Sequence, residues 1–508
     1  MHSITHLWIP VFACAAFAAC GDNVAVSSPS ADDGGSSSGS DAKPDAPPAG
    51  CASGKDPKDD ALCVTNDTGV FVDGAAAEGG DGTKERPLKT LAKAVEKAQA
   101  GKGVVFVCGQ GPYLEGVNAT GRVSLFGGFT CGTWAHAGGK SEVAPAVGPA
   151  LVAGKGATFL AQDFKWTAEA AQGDGASSIA VFAKEAALVE LVRNDVVAGA
   201  GAIGKGGDGG SEGKAGTAGD APTGSNGGGG GTTDCGGGVT SKGGRGGDAN
   251  STLAQNGGGG DATPKVFDET NVNFTGAGGA GYDNGTPASA GRNGKNGAAG
   301  ATVGAAATTY GTLASTGFAS SAGTAGGVGN VAQGGGGGGG GALLGGSGAG
   351  GGGCGGTGGT GGGGGGASIA IASLNTTVRL KATKLTTGAP GAGGIGGPGG
   401  GGGNGGAGAT NGLPGGDGGN GAGGNGGGGG TGGVSVGVLY TGSPPTIEGA
   451  SVPNASNAEY HVGPSFSDNG GEGGGAGPMG TRPGHPGNTG KPGDKGKSGV
   501  RAAVLKVD

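Results

Sequence analysis

The run Ser347–Ala372, "SGAGGGGCGGTGGTGGGGGGASIAIA", has almost no side chains, yet it holds one cysteine and ends in an apolar segment of strand character. Glycine loses more conformational freedom on folding than any other residue. A chain of this kind must therefore recover that entropy through backbone hydrogen bonds or stay unfolded. With 141 glycines in 508 residues and 4% aromatics, much of the sequence lacks the material for an ordinary side-chain core. The glycine-rich tracts lie at 199–366, 388–433 and 470–499. Phrases such as "GKGGDGGSEGKAGTAGDAP" keep a three-residue phase, which suits polyproline II geometry with glycine on the side where backbones approach each other. Two states are open for these tracts: bundled polyproline-II-like strands, or disorder. The collagen-like triplets of Gly484–Gly499, "GHPGNTGKPGDKGKSG", form too short a run to hold a trimer.

Between the tracts the sequence repeats itself. The segments "SSIAVFAKEAALVELVRNDVV" from Ser177, "ASIAIASLNTTVRLKATKLTT" from Ala367 and "VSVGVLYTGSPPTIEGASV" from Val434 each carry Ser and then an apolar-small-apolar triplet. The triplets are Ile179, Ala180, Val181; Ile369, Ala370, Ile371; and Val436, Gly437, Val438. Each segment then places two apolar residues five apart: Leu191 and Val196, Leu380 and Leu385, Ile447 and Val452. Short self-similar β-rich segments are the mark of a solenoid, with the tracts leaving one corner and returning at the next coil. Alignment of Leu191 on Leu380 stacks Glu190 on Arg379 and predicts a surface ion pair between coils.

Towards the N-terminus, Pro87 to Ala98 reads as one amphipathic helix, with Pro at its start and Leu88, Leu91 and Val95 at helical spacing. Short strands follow at Val104–Val107 and Val123–Phe126. Taken together, "DGTKERPLKTLAKAVEKA", "VVFVCGQGPYLEGV" and "VSLFGGF" resemble the cap and first coils of the right-handed parallel β-helix of the pectin-lyase-like superfamily, over roughly Val70 to Leu160. The resemblance implies an all-β solenoid; together with the internal repeats it gives a cap and first coils at 66–198, further coils at 367–387 and 434–469, and a final strand at 500–508. It implies no single activity, since lyases, hydrolases, adhesins and plain surface proteins share the fold. In texture alone, the tracts resemble the glycine-rich portions of mycobacterial PGRS proteins.

The first residues combine an apolar stretch, Leu7 to Ala19, with "FAAC", which resembles a bacterial lipobox. This predicts a signal peptide at 1–19, lipidation of Cys20 and attachment to a membrane through the lipid, a plain secretion signal cut nearby being the other reading. A Ser-, Gly-, Asp- and Pro-rich tether with Cys51 and Cys63 is expected over 20–65. The other cysteines fall into pairs by position, Cys51 with Cys63, Cys108 with Cys131 and Cys235 with Cys354, as an oxidising compartment allows. No CxxC spacing points to zinc. The net charge is −7, and the 31 Lys and Arg are scattered, so nothing suggests nucleic acid as a partner.

Chemistry-bearing motifs are sparse. The many GxGxxG matches follow from composition and open no helix after a strand, and "GDKGKSG" at Gly493–Gly499 lacks the glycine a P-loop needs. "GGAGYDNGT", Gly278–Thr286, matches a calcium-binding nonapeptide except at Gly285, with Asp283 as its ligand, but such sites work in arrays and this is one copy. For a polysaccharide-cleaving enzyme the candidates on coils are Asp163, Lys165, Glu190, Arg193, Asp195, Arg379 and Lys381. His136, His461 and His485 read as solvent-facing loop residues, Phe129 and Trp134 as a cover over the Cys131 disulfide, and Phe164 and Trp166 as core. The expectation is a non-catalytic, lipid-anchored protein of an outer surface, without cofactor or metal, structural or adhesive towards extracellular polysaccharide. A polysaccharide lyase or glycosidase on the same fold is the alternative.

Overall fold

Alternation of apolar and polar residues in short runs, punctuated by single turn residues, lays the chain down as strands that return again and again to the same three directions. The computed structural model describes residues 55–109, 111–263, 276–448, 450–451, 460–461, 469–482 and 485–507. The expected signal peptide, Cys20 and Cys51 lie outside them.

Among the described residues the protein is mainly β with one α-helix, and three large sheets are parallel and stacked in register, consistent with a parallel β-solenoid. The first sheet runs from Val70–Asp73 through Val104–Cys108, Arg122–Phe129, Thr158–Gln162 and Leu188–Val192 to Thr377–Lys381 and Thr446–Ile447, with an antiparallel end strand at Ala450–Ser451. Its inward column is Val70, Val105, Leu125, Ala161, Leu191, Leu380 and Ile447. The second sheet aligns Val143, Trp166, Val196 and Leu385. In the third, Val117, Leu151, Val181, Ile371, Val438 and Val504 face inward. All three columns meet in one apolar core. The sequence repeats are in the expected register: Ser178, Ser368 and Ser435 are paired neighbours, as are Leu191, Leu380 and Ile447.

Single residues in left-handed conformation turn the chain from sheet to sheet. Asp163, Arg193, Ala382 and Glu448, with φ of 61°, 55°, 45° and 52°, occupy the corner that leaves the first sheet. Glu185, Asn375 and Gly442 occupy the one that enters it. One end of the stack is closed by the helix, which spans Leu91–Gln99 rather than starting at Pro87. Leu88 instead bridges to Val72, so the residues before Thr90 are extended. The helix turns Leu91, Ala94, Val95 and Ala98 into the core.

Among the described residues, the glycine-rich tracts form strands held by backbone hydrogen bonds. Every N–H from Gly418 to Gly433 donates, and successive ones point to different neighbours. Gly418, Gly421, Gly424, Gly427, Gly430 and Gly433 reach the strand at 391–406; Ala422, Asn425 and Gly428 reach 324–330; Gly423, Gly426 and Gly429 reach 488–494. This three-residue rotation is that of polyproline II chains packed side by side. Glycine is required because the backbones touch: a Cβ on Gly355 would stand 1.7 Å from the carbonyl oxygen of Gly329. The triplets after Gly487 join the same bundle, Gly490, Gly493 and Gly496 donating to Gly477, Gly474 and Gly471. Two disulfides fasten the edges. Cys108 is bonded to Cys131, and Cys235, on the small antiparallel sheet of Thr232–Gly236, Val239–Lys242 and Asp261–Thr263, is bonded to Cys354 inside the bundle. Cys63 is also disulfide-bonded.

Candidate functional site

A trough of about 800 Å³ lies on the outer face of the third sheet. Along Ser178–Lys184, Ala180, Val181 and Ala183 turn into the core while Ile179, Phe182 and Lys184 line the trough, and Val152 stands beside Phe182 in register. One wall is the loop Ala146–Pro149, with Val147 88% exposed. The other is the tip of an antiparallel hairpin, Gly311–Ala314 with Gly317–Ser320, which leaves the first glycine-rich tract and folds back over the sheet. Leu313 and Phe318 of this hairpin pack with Ile179 and Phe182, and Ser177 Oγ donates to the carbonyl of Phe318 at 3.0 Å. Glu169 lies at the Ser178 end, where Ser178 Oγ donates to its carbonyl at 2.8 Å. At the other end the Lys184 ammonium sits 5.6 Å from the centre of the Phe182 ring. Among the described residues, Glu169 is the one carboxylate lining the trough and Lys184 the one cation.

The residues singled out for hydrolysis or lysis lie elsewhere, around the corner between the first and second sheets. Arg193 grips Asp163 with two hydrogen bonds of 2.8 Å, from Nε and from a terminal nitrogen. That nitrogen also reaches Asp56 and Gln162, each at 3.0 Å. Burial works against the guanidinium's charge, but the hydrogen bonds and charge of Asp163, and then of Asp56, outweigh it and raise its pKa. His136 is not solvent-facing: its side chain is 12% exposed, with Nε2 3.3 Å from Asp163 Oδ2 and Nδ1 accepting from the N–H of Gly138. Residues 55–64, placed in the expected tether, pack against the first sheet, where Val64 joins Phe71, Phe106, Phe129 and Trp134.

Glu190 stands in register with Arg379, as the alignment of the repeats predicts, and its carboxylate also forms a salt bridge of 2.7 Å with Lys381, two residues on; the Glu190 side chain is only 8% exposed. Asp195 pairs with Lys140 at 2.6 Å and Lys165 with Glu142 at 2.9 Å. Each candidate carboxylate is thus already matched to a cation. Phe129 and Trp134 cluster with Cys108 and Cys131, whereas Phe164 and Trp166 stack at 4.9 Å in the core. The side chains of His461 and His485 are outside the described set.

Searches against protein-family models, curated proteins and solved structures found no match to this chain.

Asp283 sits in a tight turn, exchanging backbone hydrogen bonds with Thr286 across Asn284 and Gly285. Among the described residues, the one grouping of potential metal ligands is Asp73 with Cys108 and Cys131, and both of those sulfurs are spent in their disulfide. The trough escaped the sequence reading because its walls come from segments far apart in the chain. Its one legible sign was "GTLASTGFAS", Gly311–Ser320, two alternating runs about a turn inside a glycine-rich tract.

Proposed function

We propose that this chain is an exported, lipid-anchored surface protein with a non-catalytic, structural or adhesive role towards polysaccharide. In this reading it is a right-handed parallel β-helix with a polyproline II bundle beside it. The observation that carries the proposal is the commitment of Asp163, Glu190 and Asp195 to Arg193, Lys381 and Lys140, which leaves none of these three coil carboxylates free to act as acid or base. The trough, with one carboxylate, supplies no second. The disulfides support an oxidising compartment. An exposed row on the outer bundle strand, Lys205, Asp208, Ser211, Lys214, Thr217 and Asp220, repeats every three residues, about 9 Å in polyproline II geometry, and suits a periodic hydroxyl-rich polymer.

The test is to incubate the mature protein with a panel of acidic and neutral polysaccharides, and to score both retention of the protein and release of new chain ends. Retention without cleavage is the expected result for an adhesin. Cleavage of any polymer would instead establish the lyase or glycosidase alternative and direct mutagenesis to Asp163, Glu190 and Arg379.

A further inference from the structure

Asparagine followed by glycine is a self-reactive pair, because the glycine nitrogen has no side chain beside it to hinder its attack on the asparagine amide. The sequence holds ten such pairs, and hydrogen bonds restrain eight of them. The N–H groups of Gly257, Gly294, Gly297, Gly421 and Gly426 donate to carbonyls of neighbouring strands, and those of Gly227 and Gly405 to side-chain oxygens of Asp248 and Asn420. Before Gly470, the Asn469 amide is itself held, its Nδ2 donating to the Gly433 carbonyl and its Oδ1 accepting from the Gly499 N–H. The other two pairs, Asn284–Gly285 and Asn411–Gly412, are exposed at turns. Among the described residues, neither Gly285 nor Gly412 donates its N–H, and neither asparagine side chain is hydrogen-bonded. Both glycines have left the polyproline II dihedrals, with φ of 95° and 114°. The two turns belong to one end of the bundle, in a continuous row: the Asn284 N–H donates to Thr252, the Asn250 N–H to Gly341 and the Gly345 N–H to Gly224, and Ser347 donates to Asn411 and Leu413.

We propose that Asn284 and Asn411 are sites of self-modification, converting to aspartate and isoaspartate in the folded protein while the other eight asparagines persist. The nitrogen of Gly285 or Gly412 gives up its proton and bonds to Cγ of the preceding asparagine. The Cγ–Nδ2 bond breaks, and Nδ2 leaves with that proton as ammonia, closing a succinimide ring. Water then opens the ring. Attack at Cγ gives aspartate, and attack at the main-chain carbonyl gives isoaspartate, in which the chain runs on through the side chain. Water is the one co-reactant. Each event adds a negative charge to a chain whose formal net charge is already −7. The end of the bundle thus changes with the age of the molecule, while the asparagines between its strands keep their cross-strand hydrogen bonds. The site is independent of the proposed polysaccharide contact.

Incubation of the full mature protein in water labelled with heavy oxygen, at mildly alkaline pH, followed by mass spectrometry of its peptides, tests this. Asn284 and Asn411 are expected to exchange amide for labelled carboxylate at least about tenfold faster than the other eight, which must first break a hydrogen bond. In the urea-unfolded chain all ten should convert at similar rates, which shows that the fold sets the difference. Asp248→Ala releases the Gly227 N–H and should bring the exposed Asn226 into the fast group, with an unchanged melting temperature showing that the bundle is intact. Persistence of both amides in the folded protein, or conversion of the other eight as quickly, overturns the proposal. An Asn226 that stays unreactive in the folded variant overturns it as well, since hydrogen bonding would then not be what protects.

Discussion

Asn194 shows how much one side chain can organise in a solenoid. Wholly buried at the corner of the first and second sheets, it donates from Nδ2 to the carbonyls of Ala161 and Val192, and through Oδ1 it accepts from the Phe164 N–H and the Trp166 indole. Asn194→Ala strands several buried polar groups at once, and a loss of about 3 kcal/mol in urea unfolding is expected. Among the glycines the outcome divides by position. Gly355→Ala drives a methyl into the Gly329 carbonyl and should abolish amide-exchange protection throughout its part of the bundle. Gly475→Ala meets nothing within 4 Å and should raise stability by about 0.5 kcal/mol, by restricting the unfolded chain. Tyr113 is held above the ordinary tyrosine range chiefly by burial, against the hydrogen bond from the Gly74 N–H, with the charges of Asp73 and Glu115 adding less. Because its folded pKa is raised, its contribution to stability is complete below about pH 10 and is lost as pH climbs towards the folded value. Absorbance titration should find Tyr113 ionising together with unfolding, and Tyr113→Phe should remove that part of the alkaline loss.

At the scale of the elements, legibility followed side chains. The β segments could be aligned from sequence because inward Leu, Val and Ile recur at fixed offsets, and Ser178, Ser368 and Ser435 proved to have a shared task. Ser178 Oγ accepts from the N–H of Gly199; Ser368 Oγ donates to the carbonyl of Gly199 and accepts from the N–H of Gly388; Ser435 Oγ donates to the carbonyl of Gly388. The column thus holds the mouths of two tracts against the third sheet. The helix start was misread because its cap is supplied from a distance: the Glu115 carboxylate accepts from the N–H groups of Leu91 and Ala92, at 2.6 and 3.2 Å, and no local pattern announces that. Glu115→Ala should lower the unfolding midpoint by an amount equivalent to about 1 kcal/mol, and Glu115→Gln by less. The partners of the bundle strands were illegible for a simpler reason. A run of glycines has the same face in every register, and scattered polar side chains break the tie, as where Asn420 and Asn425 present Oδ1 to the N–H groups of Gly405 and Lys491 and Asp417 does so to Gly408. The trough combined both difficulties, since its hairpin wall reaches the sheet from within such a tract.

In the whole molecule the two kinds of architecture are continuous. Burial is unbroken from Gly418 through Leu439, so a single stretch leaves the bundle and enters the third sheet without reaching solvent. Bundle and sheets should therefore unfold in one transition, seen as coincident curves by circular dichroism and by amide exchange. Loss of the Cys235–Cys354 bond, which spans 119 residues, should move that transition by about 4 to 5 kcal/mol in the chain-entropy estimate. The bundle also bears on how the protein responds to temperature. Unfolding an ordinary domain raises the heat capacity because apolar surface meets water, whereas newly exposed peptide groups lower it. A large part of this chain releases almost nothing but peptide groups, so scanning calorimetry should find a heat-capacity increment well below the usual ~12–15 cal/mol/K per residue. The curve of stability against temperature is then broad and shallow, and the protein keeps its shape through cold and warmth that would carry a conventional domain of its length far from its optimum.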